Sequence, residues 1–349
     1  MSRTAPARSA PARTCMSTSN EPTRYRPAWA TTPTLVWVTL WANVVVILQG
    51  AFVRATGSGA GCGSHWPTCH GELVPLSGDV HTAIEFTHRL LSLVVLALGT
   101  WLLRRVWRER HENRGAFVFG LAAFIFLLIE AGLGALTVLW GLTGDNQSTA
   151  RGLMVATHLV NSLLLIGALA GTVVYTRRDR PAYPLRLPQQ GPLLTVLLVG
   201  LIGMQVLMFS GGIAAMGNTM FPSESLADGI AADFDPESHP LIRLRILHPL
   251  IAIAVGVYLF VALGLARWLK PVPHGHRLRQ WLLGTYIVQL GVGTVNLALL
   301  APIVLQMLHL GLAVAAFGLL AALSLVMLGA PIPAARGAAG LARTGLERA

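Results

Sequence analysis

Four histidines, His88, His158, His248 and His309, carry the chemistry most readily read from this sequence. Each falls six or seven residues into a long apolar run, and the four runs concerned are the second, fourth, sixth and eighth along the chain. If the runs alternate in direction, all four imidazoles sit at one level, about 10 Å below one membrane surface at roughly 1.5 Å per helical residue. A single imidazole at that depth is ordinarily a hydrogen-bonding group between helices. Two matched pairs at one depth are better read as ligands. Imidazole is a standard axial ligand of haem iron, and the core of a four-helix bundle can hold a macrocycle between facing helices. Zinc or copper would call for thiolates, carboxylates or closely spaced ligands on one helix, which these runs lack. The pairs His88 with His158 and His248 with His309 therefore read as two bis-histidine haem positions.

The two positions differ in what surrounds them. Glu85 stands one helical turn before His88, on the same face, and Arg89 follows it. Before His248 the corresponding residue is Arg245, and Pro249 follows. A carboxylate inside a membrane span costs roughly 2.5–3.5 kcal/mol on insertion scales, so Glu85 needs a function. Arg54, Arg89, Arg151, Arg243 and Arg245 all lie at the same ends of their runs. Arginine offers a planar fork for carboxylates where lysine would serve only as a charge. Between the first two runs, "VRATGSGAGCGSHWPTCHGELVP" places Cys62 and Cys69 where a disulfide can persist if the loop faces an oxidising compartment. Cys15 lies in the N-terminal tail. Glu130, inside the third run, reads equally as a proton relay, a partner for an arginine or a helix-packing hydrogen bond.

The elements that must position these groups are membrane helices. The chain has 349 residues, 54% hydrophobic and 12% charged, with a mean hydropathy of +0.61. Eight runs are long enough to cross a bilayer: 34–53, 82–103, 116–139, 152–176, 192–214, 241–266, 280–299 and 303–328. The net charge of +11 does not indicate nucleic acid, because the basic residues form no stripe with interleaved aromatics. Instead, 21 of the 26 lie in the two tails and the even-numbered connections. The positive-inside rule then puts both termini in the cytoplasm and the cysteine loop outside. Residues 1–33 read as a disordered tail, within which Met16 is an alternative start.

Internal similarity divides the chain. "GAFVRATGSG" at Gly50 is echoed by "GGIAAMGNT" at Gly211, "IEFTHRLLSLVVLALG" by "IRLRILHPLIAIAVG", "EAGLGALTVL" by "QLGVGTVNLA", and "VATHLVNSLLL" by "LQMLHLGLAVAAF". The expected fold is all-α, two four-helix bundles related by a pseudo-two-fold axis along the membrane normal. Their limits are 34–176 and 192–328, with a cytoplasmic linker at 177–191 and a cytoplasmic tail at 329–349.

With the cysteine loop, the Glu-x-x-His-Arg of the second run and a histidine on each even run in view, the chain after residue 33 resembles the haem A synthase family. These integral-membrane enzymes of bacterial cytoplasmic membranes convert haem O to haem A. The resemblance implies haem O between His88 and His158, a haem b cofactor on His248 and His309, and an essential acid at Glu85. It implies Arg54 and Arg89 as partners of the propionates. Two successive hydroxylations of one porphyrin methyl would give a formyl group. Candidate neighbours are haem O synthase (protohaem farnesyltransferase), cytochrome oxidase assembly factors and a second copy of the chain. Many relatives carry a second cysteine pair between the fifth and sixth runs, whereas Ala215–Pro240 has none and is acidic. A rival reading of the same histidines is a non-catalytic dihaem b-type cytochrome.

Overall fold

The computed structural model describes residues 31–75, 79–177, 190–270 and 275–329. The greater part of the expected tails and of the 177–191 linker, with Met16 and Cys15, lies outside these residues, whereas Thr32 and Pro33 of the expected N-terminal tail begin α1 and Gly329 ends α10. Among the described residues the fold is helical throughout and has no strand: α1 (Thr32–Ala55), α2 (Val80–Arg108), α3 (Arg114–Leu139), α4 (Thr149–Thr176), α5 (Gly191–Met220), α6 (Leu226–Phe234), α7 (Pro240–Arg245), α8 (Leu247–Leu269), α9 (Gly275–Ala298) and α10 (Ile303–Gly329). Eight spans are long and apolar enough to cross a membrane, α7 and α8 together forming the sixth. This is a multi-pass membrane protein.

The helices outrun the apolar stretches because polar caps, rather than the last apolar residue, set their ends. Asp79 accepts the Thr82 N–H at 2.9 Å ahead of α2, which holds its carboxyl below the usual range. Asn113 and Ser148 cap α3 and α4 in the same way. The sixth span alone is interrupted, at Ile246. Pro249 has no N–H to donate to Arg245 four residues back, so the helix breaks just before His248. The equivalent α2 has Arg89 at that place and runs unbroken.

Helices α1 to α4 close one ring of contacts, and α5, α8, α9 and α10 close a second. The rings are joined mainly through α4, which packs on both α5 and α10. Its faces divide accordingly. Leu165, Ala168 and Leu169 belong to the core of the first ring, while Leu163 and Ile166 belong to that of the second. Lipid tails are as apolar as leucine, so close van der Waals contact drives this association. At the seam a Cβ on Gly212 of α5 would come within 2.8 Å of the Ala156 Cα of α4, a backbone approach that only glycine permits.

Candidate functional site

The segment between α1 and α2 folds down onto α2. A Cβ at Gly61 would lie 2.4 Å from the His81 carbonyl oxygen, so the loop backbone rests directly on the start of the helix. Cys69 and Glu72 exchange two backbone hydrogen bonds of 2.9 Å around His70 and Gly71, both at positive φ, in a tight turn. Cys62 and Cys69 are joined as a disulfide and are both buried. They are expected to resist thiol labelling until reductant is added. Full labelling of both without reductant would exclude the pairing.

Glu85 and Arg89 tie this cap to the helix. The Cys62 N–H donates to Glu85 Oε2 at 2.8 Å, and Arg89 pairs with Glu85 Oε1 at 2.5 Å. Arg89 also donates to the carbonyls of His65 and Thr68, at 2.6 and 2.5 Å. Glu85 is 4% exposed. The residue expected beside a propionate, Arg89, is thus committed to Glu85 and to the cap. Arg54 has also reached further than sequence suggested. From the end of α1 it donates to Ala215 O (3.0 Å) and Thr219 on α5 and to Gln306 Oε1 (2.6 Å) on α10, all in the second half.

The second half repeats the device with the charge reversed. Arg245, in the place of Glu85, pairs with Asp233 of α6 and donates to Gly229 O at 2.8 Å, holding down its own acidic connection.

The four histidines, Glu85, Arg54, Arg89 and Arg151 all line a cavity of about 1310 Å³, bounded by both halves. Small-molecule pockets are usually about 300–1,000 Å³, so this space exceeds what one such ligand needs. His248 and His309 stand with ring centres 6.2 Å apart. Two imidazoles on opposite sides of one metal, each bound at about 2 Å, would have ring centres about 6 Å apart. Nδ1 of His88 and of His309 is buried without a hydrogen-bond partner. Among the described residues, no group of three or more His, Cys, Asp and Glu could hold a bare metal ion. Paired imidazoles with a large apolar cavity suit an iron porphyrin, which brings its own four nitrogens. The residues present fit that group.

The sequence reading missed what stands behind each ring. A Cβ on Gly50 of α1 would lie 2.9 Å from Cε1 of His88. Gly211 of α5 stands in the same relation to His248 at 2.9 Å, and Gly293 of α9 to His309 at 2.7 Å. Gly134 of α3 faces His158 at 3.6 Å. Each imidazole is therefore backed by a glycine on the preceding span. Alanine at Gly50, Gly211 or Gly293 is expected to push its ring by several tenths of an ångström and to alter the optical spectrum of bound haem. Gly134→Ala should leave the spectrum unchanged. Equal effects at all four positions would show that the contacts do not set ring position.

A second pair of residues was half legible. Glu130, one turn before Gly134, lies 2.9 Å from His158 Nδ1 and accepts from Asn161 and Ser162. Of the three roles open to it, the partner set is imidazole and helix-packing groups, and no arginine is among them. Its counterpart Gln289, one turn before Gly293, places its amide nitrogen 3.2 Å from His309 Nε2. Ser210 lies 3.1 Å from Nδ1 of His248 and leaves that ring's Nε2 for a ligand.

Cap, glycine-backed imidazoles and a cavity bounded by both halves belong to a multi-pass helical membrane protein. The sequence pattern of the cytochrome oxidase assembly protein family matches residues 33–321, and the chain belongs to that family. A protoheme IX farnesyltransferase of Thermus thermophilus is 44% identical over 293 residues, 83% of this chain and 47% of the relative. A heme A synthase of Alkalihalophilus pseudofirmus is 40% identical over 136 residues, 39% of this chain and 43% of its own. One from Exiguobacterium sibiricum is 38% identical over 130 residues, 36% and 40% of the two chains. The chain spans about half the length, or less, of these relatives.

Proposed function

We propose that this chain is a haem A synthase of a bacterial cytoplasmic membrane, oxidising a methyl group of haem O to a formyl group. The observation that carries the reading is asymmetry within one cavity: two histidine pairs, of which only the first has an acid one turn away. Family membership and partial similarity to proteins named heme A synthase support it.

In this reading haem O lies between His88 and His158, and His248 with His309 would hold haem b. Haem b, when bound, supplies a one-electron redox centre beside the substrate. Glu85 faces the substrate and stabilises positive charge on the methyl carbon or accepts its proton. Two successive hydroxylations, each taking an oxygen atom from water or dioxygen and exchanging two electrons with a partner outside the chain, would give a gem-diol, which loses water to leave the formyl group. Arg54 meets a propionate, and Arg89 acts through the cap it fixes. The cap faces the extracytoplasmic side and both termini the cytoplasm, a topology that the distribution of basic residues supports. The farnesyltransferase name of the Thermus relative, whose chain is matched over 47%, supports a protein of haem O synthesis as a neighbour. Cytochrome oxidase assembly factors are the other proposed partners.

A dihaem b-type cytochrome without catalytic function would account for the repeated glycine-backed histidines. In that protein Glu85 would only hold the cap, as Arg245 holds the connection of the other half. Expression in cells that make haem O but no haem A separates the two. Formyl-bearing haem in the membrane extract supports the synthase, and haem O left unconverted overturns it.

A further inference from the structure

The arginines at the cap end of the bundle differ in their partners. Arg89 and Arg245 each pair with a carboxylate, Glu85 and Asp233. Arg243 is exposed and donates only to the Pro236 carbonyl, at 3.4 Å. Arg54 and Arg151 are different. Both line the cavity, and Arg151 is 7% exposed. Every group that accepts from them is neutral: Ala215 O, Thr219 and Gln306 for Arg54, and the carbonyls of Gly144 (2.6 Å) and Asn146 (2.9 Å) for Arg151. Among the described residues no carboxylate lies within 4.0 Å of either guanidinium. Asp145 lies near enough to act on the Arg151 charge without pairing with it.

Burying an unpaired charge is unfavourable, and burying two of like sign on one cavity is worse unless an anion completes the site. The neutral acceptors use only Nη1 and Nη2 of Arg54 and only Nη1 of Arg151, so N–H groups of both forks are left over. The place is as informative as the charge. Arg54 is one turn beyond Gly50, which backs His88, and reaches a residue one turn before His309. Arg151 is two turns before His158, on the helix shared by both rings.

We infer that Arg54 and Arg151 form a two-armed carboxylate clamp at the seam between the halves, which takes the paired carboxylates of a porphyrin in the cavity. The inference rests on the proposed haem function and extends it. It brings in Arg151, which sequence left without a role, and it gives Arg89 to the cap. Because Arg54 is held by α5 and α10, the clamp also makes porphyrin binding depend on the packing of the two halves against each other.

The test is a titration of membrane vesicles carrying the full chain with iron protoporphyrin IX or its dimethyl ester, read from the Soret band. The unsubstituted chain is expected to hold the diacid at least roughly tenfold more tightly than the diester, since charged hydrogen bonds are about twice as strong as neutral ones. Arg54→Gln with Arg151→Gln should bring the two within about twofold. Arg54→Lys with Arg151→Lys keeps the charge without the fork and should fall between. Arg243→Gln should behave as the unsubstituted chain. If the glutamine pair fails to fold, judged by aggregation in detergent, the lysine pair carries the comparison. Repeating the titration with His88→Ala and His248→Ala identifies which porphyrin is clamped, because the preference disappears only with the ligand of that site. A tenfold preference that survives in the glutamine or lysine pair overturns the clamp. No preference in the unsubstituted chain overturns the clamp and leaves the haem reading standing. Binding of neither porphyrin overturns both.

Discussion

Glutamine at position 85 is expected to leave haem bound and to slow conversion of haem O to haem A by about a hundredfold. Removing one group that stabilises transition-state charge typically costs ~3 kcal/mol, which is a rate factor of that size. The structure sharpens the experiment, because Glu85 also anchors the cap. Glutamine keeps an oxygen for the Cys62 N–H, 2.8 Å away, but loses the charge that pairs with Arg89. Arg89→Gln breaks the same ion pair and leaves the carboxylate in place. If Glu85 works chemically, Glu85→Gln is far worse than Arg89→Gln in the ratio of haem O to haem A. If it only holds the cap, the two variants fall together. Loss of all haem in Glu85→Gln would make the residue one of folding.

The second large effect is expected at Glu130. Its carboxylate faces His158 Nδ1 at 2.9 Å and accepts from Asn161 and Ser162, at the edge of the cavity. Leucine would remove the carboxylate from His158 Nδ1 and one acceptor each from Asn161 and Ser162, which keep the Phe126 and His158 carbonyls. Losing the acceptor of a partly buried polar group typically costs about 1–3 kcal/mol. Glu130→Leu should therefore lower the melting temperature and empty the first histidine pair of pigment, while protohaem on the second pair is retained. Gln289→Leu, at the matching place, removes one neutral contact of 3.2 Å to His309 and should cost about 1 kcal/mol. Extracted pigments and thermal melts of both variants measure this. A full complement of pigment in Glu130→Leu would refute an orienting role for the acid.

Much of this site could be read from residue types because a membrane penalises polar groups so heavily. Glu85, the four histidines and Glu130 stand out against their runs, because each must find polar partners or a ligand to be kept there. The eight spans were legible for the same reason, each to within a few residues. What could not be read depends on which surfaces meet. Glycines 50, 134, 211 and 293 stand within the four repeated segments, yet glycine in a membrane helix is common, and only the packing of neighbouring spans puts each behind an imidazole. The partners of the arginines were equally hidden. Whether Arg89 meets a ligand or a loop depends on how "GAGCGSHWPTCHG" folds back, and Arg54 reaches a half of the chain more than 160 residues away. The break before His248 was foreshadowed by Pro249, whose missing N–H is a property of one residue and needs no partner.

The central claim is that the two histidine pairs of one cavity hold different porphyrins for different purposes. Haem extracted from purified His88→Ala and His248→Ala proteins, made in cells that supply haem O, tests it most directly. Mass spectrometry of the extracts is predicted to find protohaem in His88→Ala without farnesylated or formyl-bearing haem. In His248→Ala it is predicted to find haem O without protohaem or product. Loss of the same pigment from both variants, or formyl-bearing haem still made by either, would contradict the account.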